Sequence, residues 1–162
     1  MNRTSPAAAD SGVDRVEEAL LAAMRGDRAG AAKMMFRLFT RDQALEALNA
    51  LVLTGAGALA VGACLPGGGE YRIEDLAARV ERIAPASEPV DLALFWELLQ
   101  FVGSLAGGIR QPAEGLATRW SGERLLYGAF VVAQTLLETV AERNGMETEA
   151  VMLPALEWAH AR

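Results

Sequence analysis

The sequence predicts an all-α, single-domain bundle of six or seven helices around a central apolar helix at about residues 41–63. Apolar side chains recur at three- and four-residue spacing through most of the chain, which is typical of amphipathic helices. Nineteen consecutive residues, 47–65, carry no charged side chain. A helix that is apolar on every side needs neighbours on every side, so this segment belongs at the centre. No segment alternates strictly enough to predict a strand.

The first two helices are short. Ser11 stands before an apolar pattern over 13–24 and suits the N-cap position of a first helix. Asp27 can cap a second, whose apolar residues fall within 31–39.

The central helix has a start signal and a stop signal. Thr40 and Gln43 have capping-box spacing, in which the threonine hydroxyl accepts from the third helical amide and the glutamine side chain returns to the threonine amide. Pro66 and the glycines after it predict an end near Ala63.

A fourth helix is predicted over 73–83, because Pro85 cannot continue it. A fifth should begin at Ser87 or Glu88, with Pro89 in its first turn and an apolar stripe over 92–106.

A loop of about a dozen residues should then lead to the sixth helix. We expect Ser121 to cap this helix and Asn144-Gly145 to end it. A last helix should cover 149–161, with Pro154 either kinking it or starting a shorter one.

Length and composition indicate the domain organisation. A chain of 162 residues fits one domain with its own core, which we place at 13–162. Residues 1–12 are polar and lack the basic start and apolar region of a signal peptide, so we expect a disordered tail. Cys64 is the only cysteine, which excludes an internal disulfide and fits the cytoplasm, where we expect the protein.

The uncharged run could also be considered as a membrane span, because its length is close to the roughly 20 residues that a helix needs to cross a bilayer. Its composition argues against insertion. Only Leu, Ile, Phe and Val gain appreciably from the bilayer, whereas this run is rich in alanine and glycine and contains Asn49 and Thr54. We therefore expect a core helix and no membrane.

Several kinds of reactive site are excluded or disfavoured. The chain has one cysteine and one histidine, His160, so a zinc site of usual composition cannot form. Glu157 and His160 have the spacing of a di-iron ligand pair, but such sites need two pairs. Glu138 and Glu142 share a helix face and are interpreted as a solvated carboxylate pair. We assign no catalytic, metal or cofactor-binding residue and favour a protein that is not an enzyme.

Nucleic-acid binding is also disfavoured. The net charge is −6, the wrong sign for broad attraction to phosphates. Residues 71–80 resemble the first helix of a helix-turn-helix, but Pro85, Pro89 and an apolar helix follow where a turn and a polar recognition helix should stand.

Lys33, Arg37 and Arg41 are spaced four apart, and we place them on the second helix as a basic stripe behind its apolar face. This stripe is either a solvated face or a docking surface for an acidic protein partner.

Two functions follow as expectations. An apolar content of 52% in a small domain favours a non-enzymatic interaction module that self-associates, with a homodimer as the simplest form. The alternative is a small-molecule-binding sensor or regulatory domain with a pocket between helices near 92–137. The mouth of that pocket would lie near Arg110, Arg119 and Trp120. Trp120 also has hydrophobic-staple spacing to Leu125.

Overall fold

The structure, a computed structural model, describes residues 11–35, 40–68, 71–84 and 89–162, which contain eight α-helices and no strand. The helices are α1 (Gly12–Met24), α2 (Arg28–Met35), α3 (Arg41–Ala63), α4 (Ile73–Ile83), α5 (Leu92–Ala106), α6 (Glu114–Ala117), α7 (Gly122–Arg143) and α8 (Thr148–His160). The predicted all-α bundle is confirmed, with α6 as one extra turn. Most of the predicted N-terminal tail, residues 1–10, lies outside the described residues, and α1 begins at Gly12.

Two long helices form the centre of the bundle. α3 packs against α1, α5, α7 and α8, and α7 packs in addition against α4. Within an apolar window of eighteen consecutive residues in each helix, 50% are buried in α3 and 89% in α7. By length and composition alone both could cross a membrane, a property that core helices share. The predicted central helix therefore shares the core with α7, which is the more completely covered of the two.

The helix starts follow the predicted caps in three cases. Gln43 N donates to Thr40 Oγ1 at 3.2 Å, and Thr40 N donates to Gln43 Oε1 at 3.0 Å, which completes the capping box. Asp14 N donates to Ser11 Oγ, and Gly30 N donates to Asp27 Oδ1.

The later helices differ from the prediction in detail. Ser121 occupies the N-cap position of α7, but its side chain makes no capping bond. The predicted start of the fifth helix at Ser87 or Glu88 lies outside the described residues and is wrong, since α5 begins at Leu92. Asp91 caps it by accepting from the amides of Ala93 and Leu94, so Pro89 precedes the helix.

Two further predictions are resolved. Pro154 lies inside α8, which is one helix, so the alternative of a shorter helix starting at Pro154 is wrong. Cys64 is exposed at the C-cap of α3, where the sequence had suggested an apolar core residue. The helix ends one residue before it, because the loop at Pro66 begins there.

Glycines allow the central helices to approach their neighbours closely. A Cβ built on Gly57 would lie 2.4 Å from the carbonyl oxygen of Ala155 in α8. A Cβ on Gly55 would lie 3.2 Å from Val102 Cγ1 in α5. The small residues of α3 thus set its separation from two other helices.

We predict that Thr40→Ala lowers the unfolding free energy by about 0.5–2 kcal/mol, because an amide in the first turn of α3 loses its acceptor. Chemical denaturation should show this as a lower midpoint. Ser121→Ala is the matched control, since Ser121 makes no capping bond, and should change stability by only a few tenths of a kcal/mol. Equal effects of both substitutions would contradict the capping argument.

We also predict opposite effects for two Gly→Ala substitutions inside helices. Gly57→Ala should destabilise by about 1–3 kcal/mol, because its methyl group meets a backbone carbonyl that cannot rotate away. Gly103→Ala should stabilise by about 0.5–1 kcal/mol, since a Cβ there meets no atom within 4 Å and alanine has the higher helix propensity. Thermal unfolding measures both, and a stabilising Gly57→Ala would show that α3 and α8 can separate freely.

Candidate interaction surface

Two adjoining clefts run along the exposed side of α3. Cleft A, of about 220 Å³, lies between α1, α3 and α8. Cleft B, of about 430 Å³, lies between α3, the end of α5 and α8. Asn49, Leu53 and Arg162 line both clefts, which makes them one continuous surface. We call this surface the α3–α8 groove.

The middle of the groove is apolar. Leu53 of α3, Leu105 of α5 and Trp158 of α8 line cleft B and are half-buried. Ile109 also lines it and is 59% exposed, one of the three large apolar side chains that the described residues expose most. The apolar α3 thus keeps one side in contact with water.

The turn after α5 determines the position of Ile109. The helix ends at Gly107, and Gly108 has a φ of +90°, a conformation that glycine adopts without strain. Ile109 N then donates to Ser104 O at 2.9 Å, which holds the turn against the last turn of α5. This closing motif places an isoleucine in water at the edge of cleft B.

The two clefts differ in charge. Cleft A carries the carboxylates of Glu17 and Glu46. Glu17 Oε1 lies 3.2 Å from His160 Nε2, and Glu46 Oε2 accepts from Gly12 N at 3.2 Å. These two contacts join α1 to α8 and to α3.

Cleft B carries the guanidinium group of Arg110 and shares that of Arg162 with cleft A, and none of the described residues that line it is Asp or Glu. The guanidinium carbon of Arg162 lies 4.1 Å from the ring centroid of Trp158, a cation–π contact. The groove therefore runs from an acidic end to a basic end across an apolar middle.

The three residues predicted to bind a ligand do not lie together in one cleft. Arg119 and Trp120 both bond to Glu97 of α5, and Trp120 Nε1 donates to Glu97 Oε2 at 2.5 Å. Arg119 and Glu97 line a polar cleft of about 260 Å³. Arg110 lines cleft B instead. Sequence reasoning could not find Glu97, because it is more than twenty residues from its partners.

Glu97 is stabilised as a carboxylate. The hydrogen bond from Trp120 lowers its pKa most, and the bond and charge of Arg119 lower it further, while partial burial opposes them. This contact fixes α5 to the residues before α7 and uses the polar ends of both predicted ligand-binding side chains.

The region between α5 and α7 is tightly packed where the sequence had suggested a pocket. A Cβ on Gly128 of α7 would lie 2.9 Å from Leu94 Cδ2. The cleft beside Asp91 and Arg124 has a volume of only about 190 Å³.

The predicted basic stripe is interrupted. Lys33 lies on α2, Arg37 lies outside the described residues, and Arg41 is the first residue of α3. The placement of all three on the second helix is therefore wrong for Arg41, because the Thr40 capping box starts a new helix there. Lys33 and Arg41 are both exposed.

The carboxylate pair of α7 is bound to a cation of the same chain. Arg79 of α4 lies 3.6 Å from Glu138 and also bonds to Glu142. Gln134 donates to Glu138 at 3.0 Å. Burial lowers the pKa of Arg79, which nearby Glu138 opposes. The interpretation as a solvated pair is corrected to an ion-pair network that fixes α4 on α7.

The geometry offers little for metal binding. Within the described residues, no group of three or more His, Cys, Asp or Glu side chains could hold a metal ion. His160 contacts Glu17 of α1 rather than Glu157, the partner that sequence spacing had suggested.

Another cleft, of about 710 Å³, lies at the end of α3 and is lined in part by Leu59, Tyr71 and Arg143. Gly67 N donates to Asn144 Oδ1 at 2.6 Å, which ties the loop after α3 to the end of α7. Burial raises the pKa of Tyr71. Arg143 is the one charged side chain among the described residues that line it, and the cleft is wide and open.

Comparisons with protein-family models, curated proteins and solved structures find no match to this chain. The interpretation of the groove therefore rests on its own residues.

We predict that Glu97→Gln destabilises the protein at neutral pH and has less effect in acid. The pKa of Glu97 in the folded protein lies below its ordinary value of 4.5. Its contribution to the free energy of unfolding is therefore present at pH values above 4.5 and is lost as the pH falls through the lowered pKa. Urea unfolding at several pH values measures the difference between wild type and variant. Glu114→Gln, at an exposed position of α6, controls for removal of one carboxylate. A difference that is constant with pH would contradict the prediction.

Proposed function

We propose that the protein is a non-enzymatic helical interaction module that self-associates as a homodimer through the α3–α8 groove. The observation that carries the proposal is the incomplete covering of α3. Within its apolar window of eighteen consecutive residues, 50% are buried, and its partly exposed side is continuous with Ile109 and Trp158. An apolar surface with a polar rim is typical of protein interfaces.

A homodimer of standard size would extend beyond the groove. A standard interface buries about 800 Å² on each partner, which is about one tenth of the accessible surface of 8799 Å². The groove would form the centre of that interface, and the residues around it would supply the rim. Such an interface would also remove the half-buried side of α3 from water.

The sensor alternative has weaker support. Pockets for drug-sized ligands usually have volumes of about 300–1,000 Å³. Two of the clefts near residues 92–137 measure about 190 and 260 Å³, below that range. Cleft B, of about 430 Å³, falls within the range and includes Arg110, but it lies between α3, the end of α5 and α8 and not between the two predicted helices. The polar groups of Arg119 and Trp120 are also bonded to Glu97. An acidic partner for Lys33 and Arg41, and a cytoplasmic location, stay separate hypotheses that the groove does not require.

We predict that the wild-type protein is a dimer at micromolar concentration and that Ile109→Arg weakens it by about tenfold or more, because an apolar side chain at the interface is replaced by a charge. Light scattering coupled to size exclusion, over a dilution series, measures the dissociation. Circular dichroism should show unchanged helix content, because Ile109 is 59% exposed.

Leu92→Arg is the matched control, since Leu92 is 55% exposed and lines none of the described clefts of the groove. It should leave the dimer intact. A wild-type protein that elutes only at the chain mass of 17.2 kDa up to high micromolar concentration would refute self-association. Dissociation by Leu92→Arg alone would refute the groove as the interface.

A further inference from the structure

We infer that the two copies meet about a two-fold axis near Leu53, with cleft A of each copy against cleft B of the other and Glu46 of each copy paired with Arg110 of the other. This inference rests on the proposed self-association and specifies its geometry. The occupant of the groove is a second copy of this chain, in reversed orientation.

The charge distribution along the groove carries the inference. Glu17 and Glu46 lie in cleft A alone, and Arg110 lies in cleft B alone, whose described lining includes no carboxylate. Arg162 lines both clefts and therefore lies near the proposed axis. A two-fold axis across the shared residues reverses the second copy, so each acidic end meets a basic end. Interfaces between copies in closed dimers are self-complementary in this way, with residue i contacting j and j contacting i. Two copies in the same direction would instead place arginines against arginines.

The shared residues determine where the axis passes. Leu53 and Asn49 line both clefts and occupy successive turns of α3. Leu53 is half-buried and apolar, so contact with its own counterpart removes apolar surface from water on both copies. The apolar middle therefore supplies the association, and the charged ends determine the orientation.

Glu46 is the carboxylate in cleft A best placed for this pairing. It is exposed and lies one turn before Asn49 on α3. Its recorded bond is from Gly12 N to one oxygen, and a carboxylate can accept several more. Glu17 is less suited, because it is half-buried beside His160.

Arg110 is the matching cation in cleft B. It is exposed on the loop after α5, next to Ile109. Arg162, the other guanidinium, stacks on Trp158 of its own chain. A guanidinium can bind a carboxylate through two parallel hydrogen bonds, which favours Arg110 and Glu46 as a specific pair.

Charge reversal tests the pairing in solution. Glu46→Arg and Arg110→Glu are made singly, and dimer dissociation is measured for each. The pair occurs twice in a two-fold dimer, so its loss alone should raise the dissociation constant about 2- to 30-fold. Charge reversal also adds repulsion between like charges, so it should raise the dissociation constant by more than that range. Raising the salt concentration from about 0.05 to 0.5 M should reduce the difference in dissociation constant between each variant and the wild type.

Mixing the two weakened variants gives the sharpest test. In a heterodimer of the two chains, the arginine introduced at position 46 faces the glutamate introduced at position 110, and the unchanged pair also matches. Heterodimers should therefore form with an affinity close to that of the wild-type homodimer. Native mass spectrometry with one chain isotopically labelled distinguishes them from either homodimer.

Two controls separate pairing from general charge effects. Glu157→Arg and Arg124→Glu reverse exposed charges outside the groove, and mixing them should give no preference for heterodimers. Glu46→Gln keeps an acceptor for Gly12 N while removing the charge, so it should weaken the dimer without lowering the thermal unfolding midpoint of the monomer.

The outcomes distinguish this inference from the proposed function. If Ile109→Arg disrupts the dimer but neither charge reversal changes its dissociation constant, the pairing of Glu46 with Arg110 is overturned. The proposed interaction module is then still supported. A ladder of masses above the dimer would show head-to-tail contact and overturn the two-fold axis. Monomeric wild type would overturn both. Selective heterodimer formation from the two reversed chains supports the pairing.

Discussion

The close contact between α3 and α8 is the constraint on which the rest of the arrangement depends. Gly57 has no side chain, so its backbone can lie against the carbonyl of Ala155. At that distance α8 covers one side of α3 and brings Trp158 and His160 to its edge. A larger residue at position 57 would separate the two helices and widen both clefts. The groove is thus a consequence of how tightly its two walls pack.

The same contact explains the charge pattern at the groove. Because α8 lies against α3, its last turn reaches α1, where His160 meets Glu17. Gly12 at the start of α1 meets Glu46 of α3. These contacts gather carboxylates at one end of the groove. The opposite end is formed by the loop after α5, which carries Arg110 beside an exposed isoleucine.

Local signals in the sequence predicted the helices, whereas contacts between residues far apart in the chain could not be predicted from it. The Thr40 capping box depends on residues three apart, so spacing alone was enough to place the start of α3. The bond between Trp120 and Glu97 and the network of Arg79 with Glu138 depend on tertiary packing. No periodicity encodes them. The groove was missed for the same reason, since it combines residues from α1, α3, α5 and α8, whereas the pattern at Arg119 and Trp120 suggested a pocket elsewhere.

The chain has two long apolar helices, and its remaining helices are too few and too short to cover both completely. α7 receives most of the cover, from α3, α4, α5 and α8, and 89% of the residues in its apolar window are buried. α4 contributes to that cover through Arg79, which binds Glu138 of α7. The apolar run of α3 would then keep part of its surface in water in an isolated chain, at a cost that grows with its exposed area. In the proposed dimer, a second copy that presents the same surface in reverse would remove that cost for both chains at once and would match their charges.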